Sequence, residues 1–262
     1  MFFRSLKPGL ASERHLALIW LALGSAPMAE FAAHAKPDAL VLDLQHGLWE
    51  RGALESAIGA VGAQVPVIAR CAENLHSAIA QALDAGAASV LVPLIETAAD
   101  ARRAVSAGRY PPAGLRSAGG VRPLLAGLEA MLAADREVAI GLMIETVEGV
   151  ENVEAIAAVP GVDYLFIGTG DLCLSRGTSD SEVIGRDCER VLRAATARGL
   201  PCGIFTGDAS AARRALESGY RMAVCANDIE LVKQGFLTAG EEVRRSCETP
   251  ASPIDQNTLR TP

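Results

Sequence analysis

Polar residues able to do chemistry stand where apolar runs of strand length give way to turns. Asp43 and His46 follow one such run, Arg70 ends another, Glu145 and Asp171 close two more, and Asn227 and Asp228 follow a last one. Glu145 and Asp171 supply two hard oxygen ligands and leave the other octahedral positions open, which suits Mg²⁺ or Mn²⁺. A small 2-oxo acid could chelate such an ion through its keto and carboxylate oxygens. The Gly168-Thr169-Gly170 turn would offer the backbone N–H groups of Gly168 and Gly170 to the far carboxylate oxygen. Arg70 then adds positive charge where an enolate oxygen develops, and His46, oriented by Asp43, serves as the base. Carbon–carbon bond chemistry is the expected outcome. A Schiff-base route needs a lysine at a strand end, and none of Lys7, Lys36 and Lys233 stands at one.

Each of these residues also has a plainer reading. Asp171 could cap the next helix, His46 could be an ordinary loop residue, Arg70 a salt-bridge partner, and Glu145 part of a helix's acidic first turn. Only convergence on one face separates the two readings, so the elements that position these groups decide the matter. Apolar runs recur at 15–23, 39–44, 65–70, 89–94, 138–144, 163–167, 201–205 and 221–226. Segments with helical spacing lie between them at 53–61, 75–85, 98–107, 150–158, 187–198, 209–218 and 229–238. Asn74 is the expected N-cap of the second helix and Gly86 its terminator. Continuous apolar strands alternating with amphipathic helices predict an α/β fold, a (β/α)8 TIM barrel in one domain over 1–247; an open doubly wound sheet is the alternative. Two segments break the period. The Gly/Pro-rich loop 110–120, before a short helix near 123–132, has the length of a functional lid, although Arg116 and Arg122 read more plainly as solvated surface arginines. A polar tail over 248–262 shows no periodicity.

Composition narrows the partners. The chain of 262 residues is 50% hydrophobic and carries a formal charge of 24 − 31 = −7, with no basic stripe to track phosphates, so nucleic acid is not an expected partner. No apolar run reaches the roughly 18 residues of a membrane span. The six cysteines have no C-x-x-C or zinc-type spacing and read as reduced thiols of a cytoplasmic protein. The apolar run 16–23 could mimic a signal peptide, but Glu13, Arg14 and His15 directly before it favour a buried first strand.

Several segments together resemble the HpcH/HpaI aldolase family across nearly the whole chain. They are LDLQHG at 42–47, IAR at 68–70, LDAGA at 83–87 followed by VLVPLIET, YPPAGLRS at 110–117, MIET at 143–146 and IGTGDLCLS at 167–175. The resemblance implies a class II aldolase working through a pyruvate enolate, with a divalent ion (Mg²⁺, or Mn²⁺ or Co²⁺) on Glu145 and Asp171. It implies Arg70 as the enolate-stabilising group and His46 with Asp43 as the acid/base pair. It also implies a homo-oligomer, a hexamer in which Asp84 of one subunit reaches a neighbour's site. Two departures stand out: Met143 replaces the family's usual glutamine, and Gly168-Thr169-Gly170-Asp171 replaces its usual Gly-Pro-Ala-Asp turn. These swaps keep a second activity in view, that of the staphyloferrin-type siderophore citrate synthases, which condense oxaloacetate with acetyl-CoA, or that of a CoA-ester lyase. A barrel without enzymatic activity is the third possibility.

Overall fold

The computed structural model describes residues 3–248. Its eight strands are β1 (Leu16–Leu21), β2 (Ala39–Asp43), β3 (Val67–Arg70), β4 (Ser89–Val92), β5 (Ala139–Ile144), β6 (Tyr164–Ile167), β7 (Cys202–Ile204) and β8 (Met222–Asn227). They pair in parallel in chain order and close with β8 against β1, so the sheet is a barrel and the open alternative is ruled out. Every predicted strand is present, seven of them shortened and β8 shifted by one residue toward its carboxyl end. The run 16–23 is strand to Leu21; Ala22 and Leu23 instead give their N–H groups to the Asp228 carboxylate, both at 2.9 Å. Asp228 therefore serves to join the ends of β1 and β8.

The helices are α1 (Lys7–Ala11), α2 (Ala26–His34), α3 (Arg51–Val61), α4 (His76–Asp84), α5 (Ala98–Ala107), α6 (Val121–Ala126), α7 (Leu128–Glu137), α8 (Val147–Glu151), α9 (Val153–Ala157), α10 (Thr169–Arg176), α11 (Ser181–Ala197), α12 (Ala209–Glu217) and α13 (Asp228–Glu248). The sequence reading missed α1, α2 and α10. Ser25 caps α2 by accepting from Met28 N–H at 3.3 Å, with Pro27 in the first turn, the pattern of a helix start inside what reads as a Gly/Ser/Pro loop. Asn74 does not cap α4. Leu75 occupies that position, and the Asn74 amide donates to Asp100 O at 3.1 Å. Gly86, at φ +101°, does take the left-handed turn after α4.

The chain divides into two compact units, Met1–Asp228 and Ile229–Pro262, and the boundary expected at 247 falls within α13. The tail expected over 248–262 lies, beyond Glu248, outside the described residues. Among the described residues no helix is long and apolar enough to cross a membrane.

Two apolar layers hold the barrel. Ala, Val, Leu and Ile of the outward strand faces pack under the helices, while Leu18, Trp20, Val41, Ile68, Leu91, Met143, Phe166 and Val224 fill the interior. The Tyr164 ring crosses this interior through the space that Gly141 leaves by lacking a side chain, and its hydroxyl meets Ser89 Oγ at 3.0 Å.

The segment expected as a mobile lid is tied down. It follows α5 and leads to β5, so it belongs to the amino-terminal end of the barrel, away from the strand ends that carry the polar residues. Arg116 is buried, not solvated. Its guanidinium stacks 4.6 Å over the Tyr110 ring and bonds Asp84 at 3.1 Å. Arg122 is likewise engaged, donating to Ala85 O at 2.8 Å and Glu55 O at 2.5 Å. In both cases carbonyls and one carboxylate supply the partners that sequence spacing does not reveal.

Gly141→Ala should destabilise the barrel by about 1–3 kcal/mol or more, because a methyl there collides with the buried Tyr164 ring. Urea unfolding measures this. Adding Tyr164→Leu should recover part of the loss, and an unaltered midpoint for the single variant would refute the packing argument.

Candidate active site

Register places the charged groups. Asp43 and Arg70 are direct neighbours across the β2–β3 pair, so their side chains enter the barrel mouth side by side. Arg70 Nε donates to Asp43 Oδ1 at 2.8 Å and Nη2 to Oδ2 at 2.5 Å, a fork on a carboxylate with both residues nearly buried. The guanidinium also lies 4.9 Å over the Trp20 ring, whose indole N–H reaches Asp43 Oδ2 at 3.3 Å. Burial pushes the Asp43 carboxyl up, but the Arg70 hydrogen bonds and charge, the His46 amide and the Trp20 indole together hold it below the ordinary value. Asp43 thus stays ionised and fixes Arg70.

This arrangement corrects the expected Asp43–His46 pair. Asp43 Oδ1 accepts the backbone N–H groups of Gln45 at 3.1 Å and His46 at 3.2 Å, and it does not bond the imidazole. It shapes the turn from which the exposed His46 ring projects.

Glu145 sits one residue beyond β5 with no exposed surface. Its Oε1 accepts the Leu94 N–H at 2.8 Å, and its Oε2 is buried with no hydrogen-bond partner. The neighbouring strand makes room for it: Ile144 is in register with Ile167, which puts Gly168 beside Glu145, and a Cβ on Gly168 would strike Oε2. Leu94 makes its bond from a left-handed backbone at φ +53°, a conformation leucine rarely adopts. Burial first, and the nearby Asp171 carboxylate second among the raising influences, lift the Glu145 pKa from 4.5 to about 7, against the opposing Leu94 N–H and Arg70.

Asp171 lies in the first turn of α10, so the expected turn of 168–170 is the start of a helix. The Gly168 N–H is not available to a ligand, since it donates to Ile144 O at 3.2 Å. The first intrahelical bond runs from Leu172 N to Gly168 O at 3.1 Å, which leaves the amides of Thr169, Gly170 and Asp171 as the free donors of the helix start. The Thr169 hydroxyl itself donates to Phe205 O at 3.3 Å, tying the ends of β6 and β7.

A divalent cation fits these residues. An orphaned buried carboxylate oxygen, a second carboxylate beside it and a glycine cradle together lack only positive charge. Among the described residues no cluster of three or more His, Cys, Asp or Glu side chains forms a closed metal cage, so the ligand set would be the open, two-carboxylate kind.

Asp84 stands apart. It ends α4 at the amino-terminal side of the barrel, paired with Arg116, and the chain does not bring it to its own mouth. Reasoning from strand ends pointed to Gln45 beside Asp43 and His46 but missed Trp20 and Leu94. The Gln45 side-chain oxygen is buried without a partner; Trp20 was legible as an inward aromatic in the first strand, whereas the Leu94 amide left no sequence signal.

The fold is a (β/α)8 barrel whose mouth gathers the neighbouring Glu145 and Asp171 carboxylates and a guanidinium held by Asp43. The chain belongs to the HpcH/HpaI aldolase/citrate lyase family, whose model matches residues 16–234. A hydroxypyruvate/pyruvate aldolase of Paraburkholderia phytofirmans is 34% identical over 257 residues, 93% of this chain and 98% of the relative. A 4-hydroxy-2-oxovalerate aldolase of Novosphingobium aromaticivorans is 36% identical over 233 residues, 86% of this chain and 88% of the relative. A solved HpcH/HpaI aldolase/citrate lyase family protein of Burkholderia cenocepacia superposes with a TM-score of 0.85 at 36% identity, covering 91% of this chain and 98% of that one. The chain is a carbon–carbon lyase.

The raised Glu145 pKa has a signed consequence for the metal-free protein. A carboxyl at 4.5 unfolded and about 7 folded costs the fold nothing at pH 4, and a growing amount as pH rises through that window. After exhaustive chelation, Glu145→Gln should therefore gain thermal stability relative to the parent between pH 5 and pH 8. A melting-point difference that does not vary with pH would show the carboxyl to be ordinary.

Proposed function

We propose that the protein is a class II aldolase that splits 4-hydroxy-2-oxo acids into pyruvate and an aldehyde. The observation that carries this reading is the buried Glu145 oxygen, unpartnered beside Asp171 and across the mouth from a rigidly held Arg70. Glu145 and Asp171 would hold a Mg²⁺, Mn²⁺ or Co²⁺ ion, which when bound supplies Lewis acidity toward the keto and carboxylate oxygens of the substrate.

The chain's own residues do the remainder. Amides of Thr169, Gly170 and Asp171 at the start of α10 orient the substrate carboxylate. His46, projecting from the turn that Asp43 shapes, accepts the proton of the 4-hydroxyl as the C3–C4 bond breaks. The electron pair of that bond stays with the three-carbon fragment as an enolate, and the aldehyde departs. Arg70, with Nε and Nη2 spent on Asp43, keeps its remaining N–H groups for the enolate oxygen. A proton delivered to C3 then yields pyruvate. An imine route has no support in the placement of the lysines: Lys7 pairs with Asp163 at 3.2 Å, Lys36 precedes β2, and Lys233 lies in α13. Nothing in the site favours condensation of oxaloacetate with acetyl-CoA.

The setting is proposed with the same reading. Free Cys71, Cys173, Cys188, Cys202 and Cys225 accord with the cytoplasm. A hexamer would bring Asp84 of one subunit to another's mouth, since only a second copy can supply it there. Mixing Asp84→Ala with Arg70→Ala protein should restore activity through hybrid sites. An active monomer at assay concentration would overturn this.

Roles separate by variant. Arg70→Lys should lose about 10²–10³-fold in turnover, because an ammonium cannot hold the Asp43 fork and face the enolate together. His46→Ala should lose about 10²–10⁴-fold in aldol cleavage yet keep oxaloacetate decarboxylation, which needs no hydroxyl deprotonated. Equal loss of both reactions in His46→Ala would remove the base assignment. Full aldol activity after chelation, or with Glu145→Ala, would sink the mechanism itself.

A further inference from the structure

The segments that follow the eight strands at the mouth, 22–25, 44–50, 71–75, 93–97, 145–146, 168, 205–208 and the strand-end residue 227, contain no lysine or arginine. Besides Glu145 they carry the carboxylates of Glu50, Glu73, Glu96 and Asp208. The guanidinium of Arg70 is committed to Asp43, and Arg51 and Arg176, on helices that follow mouth segments, pair with Glu55 at 3.0 Å and Asp187 at 2.7 Å. Among the described residues of these segments, only the His46 imidazole, assigned above to proton transfer, adds a group able to carry positive charge beside Arg70, so a second anion would find no dedicated counter-charge.

Leucines stand there instead. Leu94 is 50% exposed, and its amide touches Glu145, so its side chain begins beside the metal-binding carboxylate. Leu174 is 78% exposed and lies one turn along α10 from Asp171, on the same helix face. The backbone at Leu94 is one that glycine adopts freely and leucine only under strain, yet an apolar side chain occupies it.

We propose that the acceptor half of the site takes an uncharged aldehyde with a hydrocarbon end, seated against Leu94 and Leu174, and discriminates against aldehydes bearing carboxylate or phosphate. The inference rests on the aldolase reading above. An anionic tail would lose water without gaining a partner and would face the rim carboxylates, while an alkyl tail covers two exposed leucines.

The test uses the full-length, metal-loaded protein with pyruvate and a set of acceptors: acetaldehyde, butanal, glyoxylate and glyceraldehyde 3-phosphate. Exchange of the pyruvate methyl protons into deuterated water, followed by NMR, reports enolate formation without any acceptor. Butanal should exceed glyoxylate and the phosphate in kcat/KM by about tenfold or more. Leu174→Lys, at a site exposed enough to accept it, should shift that ratio toward the anionic acceptors by about tenfold. Leu94→Gly keeps the amide and the left-handed backbone, and should raise KM for butanal more than for acetaldehyde. A parent enzyme that prefers the anionic acceptors, or a ratio untouched by both variants, overturns the proposal. With exchange intact, such a result leaves the aldolase reading standing; absence of both exchange and cleavage takes down both.

Discussion

A carboxylate with no exposed surface and one oxygen without a donor is the constraint around which this molecule is arranged. Ionised Glu145 loses its water shell, and the Leu94 N–H compensates only one of its two oxygens. That burial first, and the Asp171 carboxylate nearby after it, raise the Glu145 pKa to about 7. The features around it follow as conditions for keeping such a group in place. Gly168 has no side chain because the carboxylate occupies that space, and Leu94 accepts a strained backbone because its amide must point inward. Strain and desolvation concentrated at one point are what a bound cation would offset.

The barrel supplies the precision that this requires. Side chains from neighbouring parallel strands enter the mouth at heights fixed by register, so Asp43 meets Arg70 and Glu145 meets Gly168 without help from flexible loops. Beneath them, Trp20 lies against Phe166 and Phe205 at centroid separations of 6.1 and 5.1 Å, and its upper face carries the Arg70 guanidinium. The aromatic layer thereby links interior packing to the position of the one cation in the mouth. Loss of volume in that layer would be felt at Arg70 before it was felt in the fold.

Much of this was legible because periodicity and strand ends are local signals. Eight apolar runs predicted the eight strands, and the residues at their carboxyl ends include Asp43, Arg70, Glu145 and Asp171, the charged groups of the site. What stayed hidden depends on three-dimensional pairing. The role of Asp43 could not be read from its spacing to His46, because its partner, Arg70, comes from the next strand. Arg116 looked like a solvated arginine because nothing local reveals that Tyr110 and Asp84 enclose it. The Gly168 amide looked free because its acceptor, Ile144 O, belongs to a neighbouring strand. Helix α10 was missed for a different reason: Thr169 and Gly170 are poor helix formers, and the helix is held at that place by β6 and the Phe205 carbonyl rather than by propensity.

Charge counting connects the pieces. Asp43, Glu145 and Asp171 bring three carboxylates to the mouth and Arg70 one guanidinium, so the ionised site carries a net −2 before any ligand arrives. Asp43 does not simply cancel Arg70, because their fork orients the guanidinium and leaves its charge near the position where an enolate oxygen would form. The remaining deficit, on Glu145 and Asp171, matches a divalent cation in sign and size. A monovalent ion would leave one carboxylate uncompensated in a dry pocket, and a lysine in its place would satisfy the charge while closing the coordination positions that a 2-oxo acid needs. The same balance is compatible with an acidic rim: a divalent ion on Glu145 and Asp171 would leave the centre neutral, and the surrounding carboxylates would then disfavour a second anion.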